Sequence, residues 1–168
     1  MHFDIIKSFN ESTSLVHINH QIRILKEITP AEIMIYEQLK CIKNKSLAEI
    51  YDVIRANGRI YVIQEYVKGE TIYEYIERVG ALSVAFVKTI ISDICDALDA
   101  LHRNNIVHRD VSANNIIINE TGVKLIDFGI SRVIKAGKPR DTQILGTQGY
   151  AAPCLLYTSD AADEARSV

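Results

Sequence analysis

An α+β fold is predicted for this 168-residue chain, with a small, mostly antiparallel sheet carrying one helix followed by a mainly helical part. Three observations predict it. Two strand pairs face each other across short turns, Asn19-His20 and Asn57-Gly58. A helix-capping pattern, Thr29-Pro30-Ala31-Glu32, lies between the pairs. After Gly69 the apolar spacing changes from alternation to the helical period.

The elements follow in order. Ile5-Ile6, Leu15–Ile18 and Gln21–Ile28 have β-branched or alternating apolar character, and Asn19-His20 supplies a tight turn between the last two. Thr29 is the expected N-cap, Pro30 fits the first helical position and Glu32 closes a capping box. That helix is expected to run to about Ile42. Ile50–Arg55 and Arg59–Tyr66 read as a hairpin across Asn57-Gly58. Thr71–Val79 reads as a short helix and Ser83–His102 as a longer amphipathic one. Its apolar stripe is Val84, Val87, Ile90, Ile91, Ile94, Cys95, Leu98 and Leu101. Ile106-Val107, Ile116–Ile118 and Val123–Ile126 read as short buried strands, the last two around Glu120-Thr121-Gly122. From Gly129 to Gly149 the periodicity is weak and glycine and proline mark a long loop.

Composition excludes several classes. With 48% hydrophobic and 24% charged residues and a formal net charge of −2, the chain is too apolar for disorder. It has no basic excess to suggest nucleic acid as a partner. No apolar run approaches the ~18 residues of a membrane span. Cys41, Cys95 and Cys154 form no CxxC or metal-ligand spacing, so a reducing, cytoplasmic location is expected.

The chemistry concentrates in His108-Arg109-Asp110, Asn115 and Asp127-Phe128-Gly129. Asp110 and Asn115 lie in a polar loop between buried strands, and Asp127 ends the apolar run Val123–Ile126. An Asn and an Asp at strand ends can offer hard oxygens to Mg²⁺, which binds through few carboxylates plus substrate phosphates. A second Asp can orient an attacking hydroxyl and accept its proton. Phosphoryl transfer needs those parts and few others.

These residues resemble the protein kinase family. His108-Arg109-Asp110 with Asn115 is similar to H-R-D-x-x-x-x-N, and Asp127-Phe128-Gly129 to D-F-G. Gly146-Thr147-Gln148-Gly149-Tyr150-Ala151-Ala152-Pro153 resembles the G-T-x-x-Y-x-A-P-E segment of the bacterial eukaryote-like serine/threonine kinases. The resemblance implies a two-lobe fold. Residues 1–67 would be the N-lobe and hinge, and 68–153 a partial C-lobe, incomplete beyond the Ala-Pro. It implies ATP and Mg²⁺ as cofactors and a protein substrate. Asp110 becomes the catalytic base, and Asn115 and Asp127 the metal ligands. Thr147 shapes the acceptor site, and Thr142 is a candidate phosphosite. Lys26, in Arg23-Ile24-Leu25-Lys26, would meet the ATP phosphates. Glu65, Val67, Ile117 and Val16 would surround the adenine, with Gln64 at the back of the pocket. His108 would be structural, bonded to backbone near Asp127.

The chain also departs from the family's pattern. With Val16 as the valine of G-x-G-x-x-G-x-V, the glycine positions hold Phe9, Glu11 and Ser14, which predicts weakened nucleotide binding. Glu37 is chosen as the glutamate that pairs Lys26, with Glu32 its rival. Ser112 stands where serine/threonine kinases carry lysine. Cys154 follows Pro153 where glutamate is expected, and Cys154–Glu164 reads as the in-frame translation of a transposon-end sequencing adapter. Residues 154–168 are therefore expected to be a non-native tail, and the net charge of −2 falls within it. The chain alone is expected to be poorly active, its parent an ATP-dependent protein serine/threonine kinase. The alternatives are a pseudokinase scaffold and a small-molecule phosphotransferase.

Overall fold

The computed structural model describes residues 3–133 and Tyr150. Its first part is a five-stranded antiparallel sheet: β1 (Asp4–Ser8), β2 (Thr13–Ile18), β3 (Gln21–Ile28), β4 (Ile50–Ala56) and β5 (Arg59–Glu65), in the order β1-β2-β3-β5-β4. Both hairpins turn where the sequence predicts. Asn19 and His20 have φ of 49° and 63°, and Asn57 and Gly58 have 51° and 76°. Paired left-handed residues are what a two-residue hairpin turn requires, because that twist matches the strands.

The helix after β3 is shorter than predicted. Pro30–Glu32 form a 3₁₀ turn, and α1 spans only Ile33–Leu39. The capping box is present: the Glu32 carboxylate accepts from the Thr29 backbone N–H at 2.8 Å. The end predicted at Ile42 fails because the chain turns away at Lys40. There the Lys40 and Cys41 N–H groups close onto the carbonyls of Tyr36 and Gln38.

The second part holds β6 (Glu70–Thr71), α2 (Ile72–Val79), α3 (Val84–Arg103), β7 (Ile106–Val107), β8 (Ile116–Asn119), β9 (Gly122–Leu125) and β10 (Arg132–Val133). Thr71 and Ser83 cap the two helices by accepting from Glu74 and Phe86 N–H. Strands β6, β8 and β9 form one small sheet, and β7 and β10 another. The stripe predicted for α3 is only half buried. Ile90, Ile94, Ala97 and Leu101 enter the core, while Val84 and Ile91 lie exposed. No helix among the described residues is long and apolar enough to cross a membrane.

One apolar core runs through both parts. It joins Tyr36 and Leu39 of α1, Val62 of β5, Ile94 and Leu101 of α3, Leu125 of β9 and Phe128. The segment Ser46–Glu49 is its polar seam. Ala48 N–H donates to Leu125 O, Leu125 N–H donates to Ser46 O, and Glu65 N–H donates to Glu49 O. A smaller cluster of Val16, Ile18, Leu25 and Ile63 covers the other face of the large sheet.

Candidate active site

The cleft between the two parts has a volume of about 410 Å³. Its walls include Phe9, Thr13, Ile24, Lys26, Gln64, Glu65, Val67, Ile117 and Asp127. Strand alternation explains which residues of β3 face it. Ile24 and Lys26 are two apart and share a face, and Leu25 between them packs into the smaller cluster.

At the inner end of the cleft, Lys26 Nζ lies 2.6 Å from Asp127 Oδ1. The Gly129 N–H donates to the same oxygen at 3.0 Å. Burial works to raise the Asp127 carboxyl, but the Lys26 charge and the two hydrogen bonds outweigh it and hold the group below its ordinary value. Asp127 sits at φ 61°. In that left-handed conformation the chain turns sharply out of β9, and Phe128 drops into the core at 1% exposure. A Cβ on Gly129 would stand 3.0 Å from Lys26 Nζ, so glycine leaves room for the ammonium.

The second centre is Asp110. Asn115 Nδ2 donates to Asp110 Oδ2 at 2.7 Å and to Asp110 O at 2.9 Å. These bonds fix the Asp110 carboxylate and leave Asn115 Oδ1 with no donor among the described residues. The Ile126 N–H donates to Asn115 O at 2.8 Å, so Asn115 and Asp127 stand at the adjacent ends of β8 and β9. His108 braces both. Its Nε2 bonds Ile126 O at 3.2 Å, its Nδ1 accepts from Asp110 N–H at 3.3 Å, and its ring meets Phe128 edge-on at 5.4 Å. Burial lowers the His108 pKa from its ordinary value, so the ring is a neutral strut.

The donor set fits Mg²⁺. All bonds to Asp127 among the described residues fall on Oδ1, so Oδ2 carries none there, and neither does Asn115 Oδ1. One carboxylate and one amide oxygen, with no larger cluster of His, Cys, Asp and Glu among the described residues, suit an ion that takes its other ligands from phosphates and water.

The model of the protein kinase domain family matches residues 6–166. The chain belongs to that family. Among its relatives, the serine/threonine-protein kinase PknA of Nostoc sp. is 31% identical over 159 residues, covering 86% of this chain and 28% of the relative. The SNF1-related protein kinase catalytic subunit alpha KIN12 of Arabidopsis thaliana is 30% identical over 152 residues, covering 90% of this chain and 29% of the relative. The probable serine/threonine-protein kinase PknB of Bifidobacterium longum is 40% identical over 97 residues, covering 55% of this chain and 14% of the relative. The chain spans less than a third of the length of these relatives.

Most residues that the sequence assigns to this kinase domain's site come together. Lys26, Asp127, Glu65, Val67 and Ile117 line one cleft with Gln64, and Asp110 and Asn115 are bonded beside it. Two assignments are corrected. Val16 is fully buried in the outer cluster, on the face of the sheet away from the cleft. In the β2–β3 register Thr13 opposes Lys26 and Leu15 opposes Ile24, so Leu15, not Val16, lies on the cleft face. A shift of one residue exchanges the faces of a strand. The glycine positions then shift too, to Ser8, Asn10 and Thr13. The turn between β1 and β2 forms without any left-handed residue, held by Phe9 N–H to Thr13 O and Ser12 N–H to Asn10 Oδ1.

Glu37 is the second correction. It lies exposed on α1, and its carboxylate forms no ion pair among the described residues. The buried face of α1 carries Ile35, Tyr36 and Leu39, and a 100° step per residue turns Glu37 outward. Glu32 is engaged with Thr29. Thr147 and Thr142 lie outside the described residues.

Sequence reasoning missed Thr13 and Ile24, which line the cleft. Both were accessible by counting from the Asn19-His20 turn, which sets the register. Lys124 was missed as well: its Nζ lies 2.8 Å from Glu65 Oε2, and nothing in the local sequence marks that pair.

Proposed function

We propose that this kinase domain transfers the γ-phosphoryl group of ATP to serine or threonine hydroxyls of a protein substrate. The observation that carries the reading is the Asp110–Asn115 bond beside the Lys26–Asp127 pair, at the inner end of a cleft with an apolar outer part. In that reading Ile24, Val67 and Ile117 sandwich the adenine, with Gln64 behind it. Lys26 turns from Asp127 to the phosphates. Asn115 and Asp127 hold Mg²⁺, which neutralises the phosphate charge when bound.

Asp110 orients the acceptor hydroxyl and takes its proton as the oxygen attacks the γ-phosphorus. The bond to the bridging oxygen breaks and ADP leaves. The Asn115 amide keeps the Asp110 carboxylate in one orientation through the transfer. Free Cys41 and Cys95 support a reducing, cytoplasmic setting.

The test is radiolabel transfer from ATP by the parent protein to a serine/threonine protein substrate. Asp110→Asn is expected to lower the rate about 10²–10⁴-fold, the range for a general base, with Mg-ATP binding retained. Transfer undiminished by Asp110→Asn would refute the assignment. A parent that binds nucleotide but never transfers would be the scaffold instead.

A further inference from the structure

The turn between β1 and β2 lends Phe9, Asn10 and Thr13 to the wall of the cleft. Its backbone donors are largely engaged within the turn itself. Phe9 N–H and Asn10 N–H both close onto Thr13 O, at 2.9 and 3.4 Å, and Ser12 N–H donates to Asn10 Oδ1 at 2.9 Å. A backbone cradle for an anion needs successive N–H groups turned outward by a left-handed residue, and no residue of this turn has a positive φ.

The hydroxyls of the stretch are engaged as well, with one exception. Ser8 Oγ and Ser14 Oγ bond each other at 3.1 Å, and Ser12 Oγ donates to Asn10 Oδ1 at 3.1 Å. Thr13 Oγ1 makes no hydrogen bond among the described residues. Its position is set by the ladder. Glu27 N–H donates to Ser12 O at 2.7 Å, so the next pair, Thr13 and Lys26, is of the close, non-hydrogen-bonded kind. Side chains of such a pair share a face, with Cβ atoms about 4.5–5.5 Å apart. Here that face is the cleft, because both residues line it. An anion drawn to Lys26 therefore lies beside a hydroxyl whose proton is uncommitted.

We propose that Thr13 is a phosphate-binding residue. Its Oγ1–H donates to a phosphoryl oxygen of the bound nucleotide, so the turn holds phosphate through a side-chain hydroxyl where the pattern G-x-G-x-x-G covers it with glycine backbone. This rests on the kinase reading and names how that site grips its nucleotide.

The experiment is calorimetric titration of the purified chain, with Mg²⁺ and a non-hydrolysable ATP analogue and separately with adenosine. Thr13→Val keeps the β-branched shape and removes the hydroxyl. It should bind the analogue about tenfold more weakly, the size of one hydrogen bond to a charged group, with adenosine affinity unchanged. Thr13→Ser should restore most of the loss. Thr13→Gly should bind the analogue as weakly as Thr13→Val; tighter binding would mean that backbone N–H groups hold the phosphates and would overturn the proposal. Unchanged analogue affinity in Thr13→Val would overturn it too, as would an equal loss for adenosine, the mark of a merely structural residue. If the unsubstituted chain binds neither ligand, the kinase reading fails and the proposal with it. If it binds both and Thr13→Val has no effect, the proposal alone fails.

Discussion

The Lys124 ammonium lies 2.8 Å from Glu65 Oε2, joining β9 to the end of β5. Both side chains are mostly buried, at 19% and 22% exposure. Glu65 Oε2 also accepts from Glu49 N–H at 3.0 Å. The pair thus bridges the large sheet and the strand that delivers Asp127. Lys124→Met keeps the apolar stem but leaves the Glu65 carboxylate with one donor. The expected loss is about 1–2 kcal/mol, between the values for exposed and buried pairs. Urea denaturation measures it. Adding Glu65→Gln should restore part of the loss, because the stranded charge is removed. Equal stability of Lys124→Met and the unsubstituted chain would show that the bridge contributes nothing.

Gly69 follows the short segment Tyr66, Val67 and Lys68 that leaves β5. A Cβ at this position would stand 2.1 Å from Ile118 O and 2.7 Å from Ile117 Cγ2. A backbone oxygen of β8 cannot yield as a flexible side chain can, so Gly69→Ala must push β6 away from β8. The expected cost is about 3 kcal/mol, at the upper end for overpacking. Nucleotide affinity should fall with it, since Gly69 and Ile117 both line the cleft. A stable Gly69→Ala variant with intact affinity would contradict this close approach.

The corrected register of β2 separates stability from binding. Val16 is wholly buried in the outer cluster, and Val16→Ala should cost about 2 kcal/mol in folding with nucleotide affinity unchanged. Leu15 is only partly buried and faces the cleft opposite Ile24. Leu15→Ala should cost less stability and weaken nucleotide binding several-fold. Titration calorimetry beside thermal unfolding distinguishes the two. The reverse pattern would restore Val16 to the nucleotide site. For the turn, Glu11→Gly should leave affinity unaltered, because Glu11 is exposed and is not at a glycine position in this register.

What was legible in the sequence was local chemistry. Hairpin turns, helix caps and the two polar motifs are written in a few adjacent residues, and the structure contains them where they were read. The errors came where a face had to be chosen. Val16 matched the spacing of the family's motif, while the turn at Asn19-His20 already determined that 13 opposes 26. Glu37 matched by residue type, but a helix this short presents only one buried face, and position 36 occupies it. The Lys124–Glu65 bridge was not legible. It depends on a contact across 59 positions, and no periodicity carries such a pairing. The half-buried stripe of α3 belongs to the same class, since its pattern shows an apolar face but not what lies against it.

His108 predicts a pH dependence of stability. The ring is 1% exposed, and burial lowers its folded pKa. In the unfolded chain it titrates near 6.5. Above that pH both states are neutral and the stabilisation is complete. As pH falls below about 6.5 the unfolded chain takes up a proton that the folded chain resists, so stability declines until the folded pKa is reached. The expected observation is a Tm that falls between about pH 7.5 and 5.5, before most carboxylates begin to titrate. His108→Gln retains an acceptor for the Asp110 N–H and an amide donor for Ile126 O, and it carries no titrating group. Its Tm should be lower at pH 7.5 but nearly flat across the same interval. If both proteins show the same slope, His108 is not the titrating group. If the slope of the unsubstituted chain is reversed, the ring is protonated in the folded state and cannot accept from Asp110 N–H.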